Sequence, residues 1–130
     1  MIYLGIDVGS HKVGLAKSAS GIIAETTSSF EYHDREFLID RIVQEVSDEK
    51  IEKVVVGVPY RRDGSLAEHG QAVLILVEAL RDCLGENVVE TVDEALTSKE
   101  AERLGGKAAD HDALAAALIL EQYLNEHREG

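Results

Sequence analysis

Apolar residues in the first quarter of the chain come in short runs separated by small polar turns, which is typical of β-strands. Residues 2–6 and 13–16 are two such runs, and the glycine-containing segment between them is short enough for a tight turn. A third strand is predicted from Gly21 to Phe30 or Tyr32, because β-branched and aromatic residues are frequent there. The pattern therefore predicts three consecutive antiparallel strands.

The pattern changes to helical spacing after Asp34, which can cap a helix. Apolar residues then recur at positions 38, 39, 42, 43 and 46. The next apolar run, residues 54–58, is continuous, and such runs are typical of a central strand that is covered on both faces and parallel to its neighbour. This part of the chain predicts a helix followed by a strand in the middle of a sheet.

The second half continues to alternate helices with strands. Pro59, the only proline, ends the central strand. Ser65 and Glu68 have the spacing of a capping box, which predicts a helix from that point. Residues 87–92 predict a further strand.

Two helices are expected near the end of the sequence. A second capping box at positions 97 and 100 predicts a short helix that ends near residues 105–106, a glycine pair. The final helix is expected from Asp110 or Asp112 to about Glu126. The element order βββ-α-β-α-β-α-α predicts an α/β fold in which a mixed sheet has helices on both faces.

Composition limits the class of protein. The 130 residues are 45% hydrophobic, which favours one domain, residues 1–130, with one packed core. No apolar run approaches the length of a membrane span, the start shows no signal peptide, and Cys83 is the only cysteine. We therefore expect a protein of the reducing cytoplasm with no membrane partner. The net charge of −12 implies that any polyanionic partner is held by metal ions or by a basic loop.

Acidic residues directly follow two predicted strands. Asp7 ends the first strand, with Gly9 and Gly14 nearby, and Asp93 and Glu94 end the last strand. Ligands of α/β sheets bind beyond the carboxyl ends of strands, and glycine allows positive φ or the close approach of a ligand. A turn cap at Asp7 and a solvated loop at residues 93–94 are the simpler interpretations. The sequence leaves open which of Asp93 and Glu94 faces a site.

A third candidate acid lies on the last predicted helix. Asp112 stands one turn before Ala116, on the apolar face of that helix, where a carboxylate is costly unless it is paired or bound to metal. Three clustered carboxylates suit Mg²⁺ or Mn²⁺, and such a site can hold two ions astride a scissile phosphate. A plain N-cap is the simpler alternative. Lys12, Arg61 and Arg62 are candidate nucleic-acid contacts, with a solvated loop as the simpler interpretation of the two arginines.

Five short segments, in order and covering nearly the whole chain, form a set of motifs. They are GIDVG at 5–9 with VGLA at 13–16, GIIA at 21–24, VVGVP at 55–59 with DGS at 63–65, DE at 93–94 with LT at 96–97 and EA at 100–101, and Asp112 with AA at 115–116 and LIL at 118–120. Together these segments resemble the YqgF-type proteins, which are described as pre-16S ribosomal RNA nucleases and as Holliday junction resolvase-like proteins. Two residues depart from the family pattern, because His11 stands at a position where the family prefers a basic residue and Ala95 replaces an arginine. The segment 105–110 is also shorter than in many members.

This resemblance implies an RNase H-like fold with a five-stranded mixed sheet. It implies a metal-dependent endonuclease in which Asp7, Glu94 (or Asp93) and Asp112 hold Mg²⁺ or Mn²⁺. The expected substrate is precursor 16S ribosomal RNA, cut at its 5′ end, and the alternative is a DNA four-way junction. A homodimer is an expected assembly, and the sequence leaves the oligomeric state open.

Two interpretations come from other classes of protein. The opening motif is also similar to the phosphate loop of sugar kinases and actin-like ATPases, which favours a phosphate- or nucleotide-binding module. Those proteins need two such domains, whereas 130 residues supply one. The other interpretation is a non-catalytic family member that binds a protein partner.

Overall fold

The computed structural model describes residues 1–94 and 111–127, which form a five-stranded sheet with three helices. The strands are β1 (Tyr3–Val8), β2 (Lys12–Ser18), β3 (Glu25–Glu31), β4 (Lys53–Val58) and β5 (Val89–Asp93). The helices are α1 (Arg35–Asp48), α2 (Gly70–Leu84) and α3 (His111–Glu126). The helix predicted at positions 97–106, Ala95 and the segment 105–110 lie outside the described residues.

The strands follow the order β3-β2-β1-β4-β5 across the sheet. The first three strands pair antiparallel, whereas β4 pairs parallel with β1 and β5 pairs parallel with β4. The predicted mixed sheet is confirmed, and the continuous apolar run 54–58 lies in its interior beside β1. The carboxyl ends of β1, β4 and β5 therefore meet at one edge of the sheet.

Helices cover both faces of the sheet, as predicted. Side chains alternate along a strand, so Leu4, Ile6 and Val8 of β1 pack with α1 and α2. The intervening residues point to the other face, where Tyr3 packs against the core of α3. The predicted cap of α1 is confirmed, because the carboxylate of Asp34 accepts a 2.8 Å hydrogen bond from the amide of Phe37.

Glycines on β1 and β2 allow α3 to lie directly on the sheet. A Cβ atom on Gly14 would be 1.9 Å from the carbonyl oxygen of Asp112, and one on Gly5 would be 2.7 Å from that of Ala116. Such distances leave no room for any side chain. Gly9 and Gly14 do not have positive φ, so conformational freedom is not the reason for glycine at these two positions. The Gly14 position requires close approach of two backbones.

The third strand begins later than predicted, at Glu25 rather than Gly21. Gly21 adopts φ 77°, and the hydroxyl of Ser20 accepts hydrogen bonds from the amides of Ile22 and Ile23 at 3.0 and 3.1 Å. These local bonds form a turn instead of a sheet ladder. The two isoleucines remain 60% and 63% exposed.

The capping box predicted at Ser65 and Glu68 is wrong, since α2 begins at Gly70. Both the amide and the hydroxyl of Ser65 donate to a carboxylate oxygen of Asp63, at 2.9 and 2.6 Å. This hydrogen bonding stabilises a turn before the helix. Residue 69 takes the N-cap position without a side-chain cap. None of the helices in the described parts of the chain has the length and apolar character needed to cross a bilayer.

Candidate active site

Asp7 lies near the end of β1 and points to the α3 face, because it follows Tyr3 and Gly5 at the two-residue period of the strand. Burial raises the pKa of Asp7 above its usual value. A hydrogen bond from Glu94 and the charge of His69 oppose that rise, and the charge of Asp112 adds to it. The pKa of Asp7 therefore depends on both of the other predicted acids.

The structure favours Glu94 over Asp93 as the acid that faces the site. Val92 is buried against α3, and Glu94, two residues further on, points the same way and is only 8% exposed. The amide of Glu94 donates a 3.1 Å hydrogen bond to the carbonyl of Val58, which holds the chain against β4 beyond the last strand residue. Asp93 is exposed.

Gly57 creates the space in which Asp7 and Glu94 meet. Their strands, β1 and β5, lie on either side of β4, so they are about 10 Å apart, twice the spacing of neighbouring strands. Gly57 stands between them, and a Cβ atom there would be 3.0 Å from the Glu94 carboxylate and 2.4 Å from a methyl of Ile119. The two side chains can hydrogen bond across β4 because residue 57 has none.

Glu94 carries the proton of this acid pair. Burial, the hydrogen bond to Asp7, and the charges of Asp7 and Asp93 raise the pKa of Glu94 to about 9. At neutral pH, Glu94 is therefore protonated and donates to the Asp7 carboxylate. Two acids that share a proton in a buried cleft are typical of sites that bind a cation or act in acid–base chemistry.

Asp112 is the second residue of α3, and its charge acts on Asp7. Its side chain is 36% exposed and its carboxylate is 3.7 Å from the ammonium of Lys12. The carboxylate is therefore only partly buried, although the backbone of Asp112 lies directly against Gly14 of β2. The position still suits an acid, since the amino-terminal turn of a helix favours negative charge.

The donor chemistry of these residues fits a hard divalent cation. In residues 1–94 and 111–127 no three Asp, Glu, His or Cys side chains are arranged as a metal-binding group. Asp7 and Glu94 nevertheless bring two carboxylates into hydrogen-bond contact, and a cation can replace the proton between them. Mg²⁺ or Mn²⁺ is held by such oxygen ligands together with water.

The predicted basic contacts surround the same edge of the sheet. Arg61 and Arg62 are exposed in the loop that follows β4. The loop is ordered by two backbone hydrogen bonds, from the Arg61 amide to the Ser65 carbonyl (2.7 Å) and from the Gly64 amide to the Arg61 carbonyl (2.9 Å). Lys12 is 52% exposed, and its ammonium is 3.7 Å from the carboxylate of Asp112.

Two residues that the sequence did not single out hold the end of β1. A ring nitrogen of His69 is 3.0 Å from the carbonyl of Val8, next to Asp7. The hydroxyl of Tyr32 donates to the carbonyl of Gly9, and its amide donates to the carbonyl of His11 at 2.9 Å. A lone histidine before a helix and a tyrosine at a strand end have no motif that could have predicted these contacts.

Related proteins match this sequence over nearly its whole length. The model of the family described as "RuvX: Holliday junction resolvase" matches residues 1–126. A protein of Thermoanaerobacter pseudethanolicus is 32% identical over 138 residues, and the match covers 98% of this chain and 99% of that protein. A protein of Caldanaerobacter subterraneus subsp. tengcongensis is 36% identical with the same coverage. Both are named "Putative pre-16S rRNA nuclease".

A solved structure of Thermus thermophilus RuvC in complex with a Holliday junction substrate superposes with a TM-score of 0.65. The match covers 98% of this chain and 97% of RuvC at 20% sequence identity, a level that shows the fold alone. The predicted RNase H-like fold is confirmed by this likeness. The family model and the two relatives also confirm the resemblance stated from the motifs. The chain belongs to the RuvX family, the YqgF-type Holliday junction resolvase-like nucleases.

Proposed function

We propose that this protein is a divalent-metal-dependent endonuclease that cuts the 5′ side of precursor 16S ribosomal RNA. One observation carries the catalytic part of the proposal, namely the meeting of Asp7 and Glu94 across Gly57 at the carboxyl ends of the parallel strands. The choice of RNA is supported by the names of the two relatives. The description of the family supports branched DNA as the second candidate substrate.

In this proposal Asp7 and Glu94 are the principal metal ligands and Asp112 is the third acid. A bound Mg²⁺ or Mn²⁺ supplies charge neutralisation for the reacting phosphate and lowers the pKa of a bound water. Glu94 has to lose its proton before it can serve as a ligand, so metal loading releases a proton at neutral pH. Lys12 keeps Asp112 at the edge of the cleft and neutralises it until a cation arrives.

The acidic surface makes the metal and the basic loop important for binding nucleic acid. With a net charge of −12, the protein repels RNA at long range. We expect weak binding in EDTA and a shallow dependence on salt, because few phosphates are neutralised by Lys12, Arg61 and Arg62. The double variant Arg61→Ala and Arg62→Ala should weaken binding to all sequences alike. Tight binding in EDTA with a steep salt dependence would contradict this.

A cleavage assay tests the proposal directly. The protein is incubated with Mg²⁺ or Mn²⁺ and is given precursor 16S ribosomal RNA or a DNA four-way junction. We expect Asp7→Asn and Glu94→Gln to lower cleavage at least about 100-fold, because the loss of a metal ligand removes several kcal/mol of transition-state stabilisation. Asp93→Asn, which changes an exposed neighbour, should keep most of the activity. Equal losses in the Asp93 and Glu94 variants would refute the assignment.

The same preparation distinguishes the other classes of function. Calorimetry with ATP tests the nucleotide-binding interpretation, and sedimentation tests the homodimer. Cleavage of the junction but not of the RNA would identify a resolvase with the same acid site. We place the protein in the cytoplasm as one domain over residues 1–130.

A further inference from the structure

A cavity of about 150 Å³ lies between the first turns of α1 and α2, on the face of the sheet opposite the acids. Its floor is aliphatic and belongs to the core beneath α1 and α2; it is made by Val8, Leu38 and Leu76. A cavity of this volume with an apolar lining is large enough to bind one six-membered aromatic ring. The floor therefore offers an apolar surface to one flat ring.

The rim of the cavity is polar and aromatic. Tyr32, His33, Arg35 and His69 line it together with Asp34. Tyr32 and His69 are fixed by their hydrogen bonds to backbone carbonyls of the β1 end, so their rings are held in place. Arg35 forms no ion pair with any described residue, which leaves its guanidinium available to a ligand. The polar groups of this rim can form hydrogen bonds with the edge atoms of a ring that packs on the floor.

The cavity adjoins the same end of β1 as the acid site, from the other face of the sheet. Val8 of its floor follows Asp7 in β1, and the ring of His69 is 3.0 Å from the Val8 carbonyl. The charge of His69 also acts on Asp7. A nucleic acid chain that is held at the acids therefore has to cross the end of β1 to reach this cavity.

A phosphate is a poor ligand for this cavity. The carboxylate of Asp34 lines it and already accepts the hydrogen bond of the Phe37 amide at the amino-terminal end of α1. That carboxylate takes the position where a helix would attract an anion, and it repels a second negative group. The apolar floor is also unsuited to a phosphate. A neutral ring with polar edge atoms satisfies both the floor and the rim.

We propose that this cavity receives one unpaired pyrimidine base of the nucleic acid whose backbone is held at Asp7 and Glu94. The inference rests on the proposed function. Proteins recognise single-stranded segments by placing unstacked bases against aromatic and arginine side chains, and this cavity provides both at the end of the strand that carries Asp7. A pyrimidine has the single ring that the volume accommodates, whereas a purine has two.

Nuclear magnetic resonance of the wild-type protein with uridine tests the cavity without any cleavage. We expect chemical-shift changes at Leu38, His69, Ala72 and Leu76, which line it, and none with ribose or inorganic phosphate at the same concentrations. No changes at these residues, or equal changes with phosphate, would overturn the proposal. This measurement needs no variant and therefore does not depend on how a substitution folds.

Binding of two matched RNAs in EDTA tests the link to the substrate. One hairpin carries a single unpaired uridine, and the other has an abasic site at that position. We expect the wild type to bind the uridine hairpin about tenfold more tightly, which is within the contribution of one stacked base. Ala72→Phe, which fills the cavity, should abolish the difference. Gln71→Phe is the matched control, because Gln71 is exposed on the same helix turn outside the cavity, and it should keep the difference.

The outcomes separate this inference from the function on which it rests. Equal affinity for the two hairpins together with metal-dependent cleavage of both would overturn the base cavity and keep the nuclease. A clear preference for the uridine hairpin, with no cleavage of any substrate, would refute the nuclease and keep the cavity.

Discussion

The two faces of the sheet differ in composition although the same strands supply both. On the face covered by α1 and α2, β1 presents Leu4 and Ile6, which are fully buried aliphatic side chains. On the face covered by α3, neighbouring positions are Gly5 and Asp7, and β4 adds Gly57. Both faces bury apolar side chains, but next to Asp7 and Glu94 the α3 face has glycines where the other face has aliphatic residues.

This difference separates stability from function within one sheet. Each buried aliphatic side chain contributes about 1.5–3 kcal/mol, so the α1–α2 face supplies much of the stability of the fold. On the α3 face Val55 and Val92 are buried, but Gly57 replaces a side chain where Asp7 and Glu94 meet. Protein sites commonly break local rules of packing and charge in this way, with compensation elsewhere in the fold.

The largest effect is expected from Gly14→Ala. The added methyl would lie 1.9 Å from the backbone carbonyl of Asp112, which cannot move without shifting α3. We expect the free energy of unfolding in urea to fall by about 3 kcal/mol, with loss of cleavage. Val13→Ile is the control on the opposite face, where side chains can adjust; it should cost about 1 kcal/mol and keep cleavage. Similar results for the two variants would show that the faces do not differ.

Stability should also depend on pH through Glu94. Its pKa is 4.5 without perturbation and about 9 in the fold, so the native state holds a proton that the unfolded chain releases within this window. The free energy of unfolding of the metal-free protein should therefore fall as pH rises between these values, by up to about 1.4 kcal/mol per pH unit.

The matched measurement is the same pH series on Glu94→Gln, which cannot titrate. Its curve should be flatter than that of the wild type across this window. Excess Mn²⁺ should stabilise the wild type more than the variant, and more at high pH, because the cation replaces the proton. Parallel curves for the two proteins in EDTA would mean that Glu94 is ionised in the fold.

Gly57→Ala should have an intermediate effect, a loss of about 2 kcal/mol in unfolding free energy. The methyl would be 2.4 Å from Cδ1 of Ile119 and 3.0 Å from the Glu94 carboxylate. Adding Ile119→Val removes Cδ1, so the double variant should recover part of the stability. It should remain inactive, because the methyl still separates Glu94 from Asp7. Recovery of both stability and cleavage in the double variant would show that the acid pair tolerates a side chain at position 57.

The smallest effect on stability is expected from Asp112→Asn. The residue is partly exposed and paired with Lys12, so its loss in EDTA should change the unfolding free energy by no more than about 1 kcal/mol. Stabilisation by Mn²⁺ should be weaker than in the wild type, because an acid of the site is lost. Asp40→Asn, an exposed acid on α1, is the charge-matched control. Equal responses of the two variants to Mn²⁺ would remove Asp112 from the site.

Much of the sheet could be predicted from the spacing of apolar residues, because burial of a strand on one or two faces imposes a regular pattern of apolar positions. The parallel pairing of residues 54–58 with β1 and the span of α3 were predicted in this way. The errors occurred where local hydrogen bonds decided the structure. Ser20 turns the chain before β3, and Asp63 takes the amide of Ser65, so neither segment follows its apolar or capping pattern.

The candidate site was predicted in its residues and only partly in its geometry. Asp7, Glu94 and Asp112 could be selected because each follows a predicted strand or begins a predicted helix. To choose between Asp93 and Glu94, one has to know which face of the sheet Val92 occupies. That face depends on the pairing of β5 with β4. The role of Gly57 could not be predicted from the sequence. It arises because two acids from distant parts of the sequence meet across the strand that contains Gly57.

The acids come from β1, from the residue after β5 and from α3, so the set of three is complete only after the segment that forms α3 has been synthesised. During translation Asp7 leaves the ribosome first, and the glycine-rich face stays uncovered until the segment that forms α3 has emerged. Closing so long a loop is entropically unfavourable until the packing of α3 compensates for it. A partly synthesised chain that lacks α3 therefore lacks Asp112 and with it the complete set of acids.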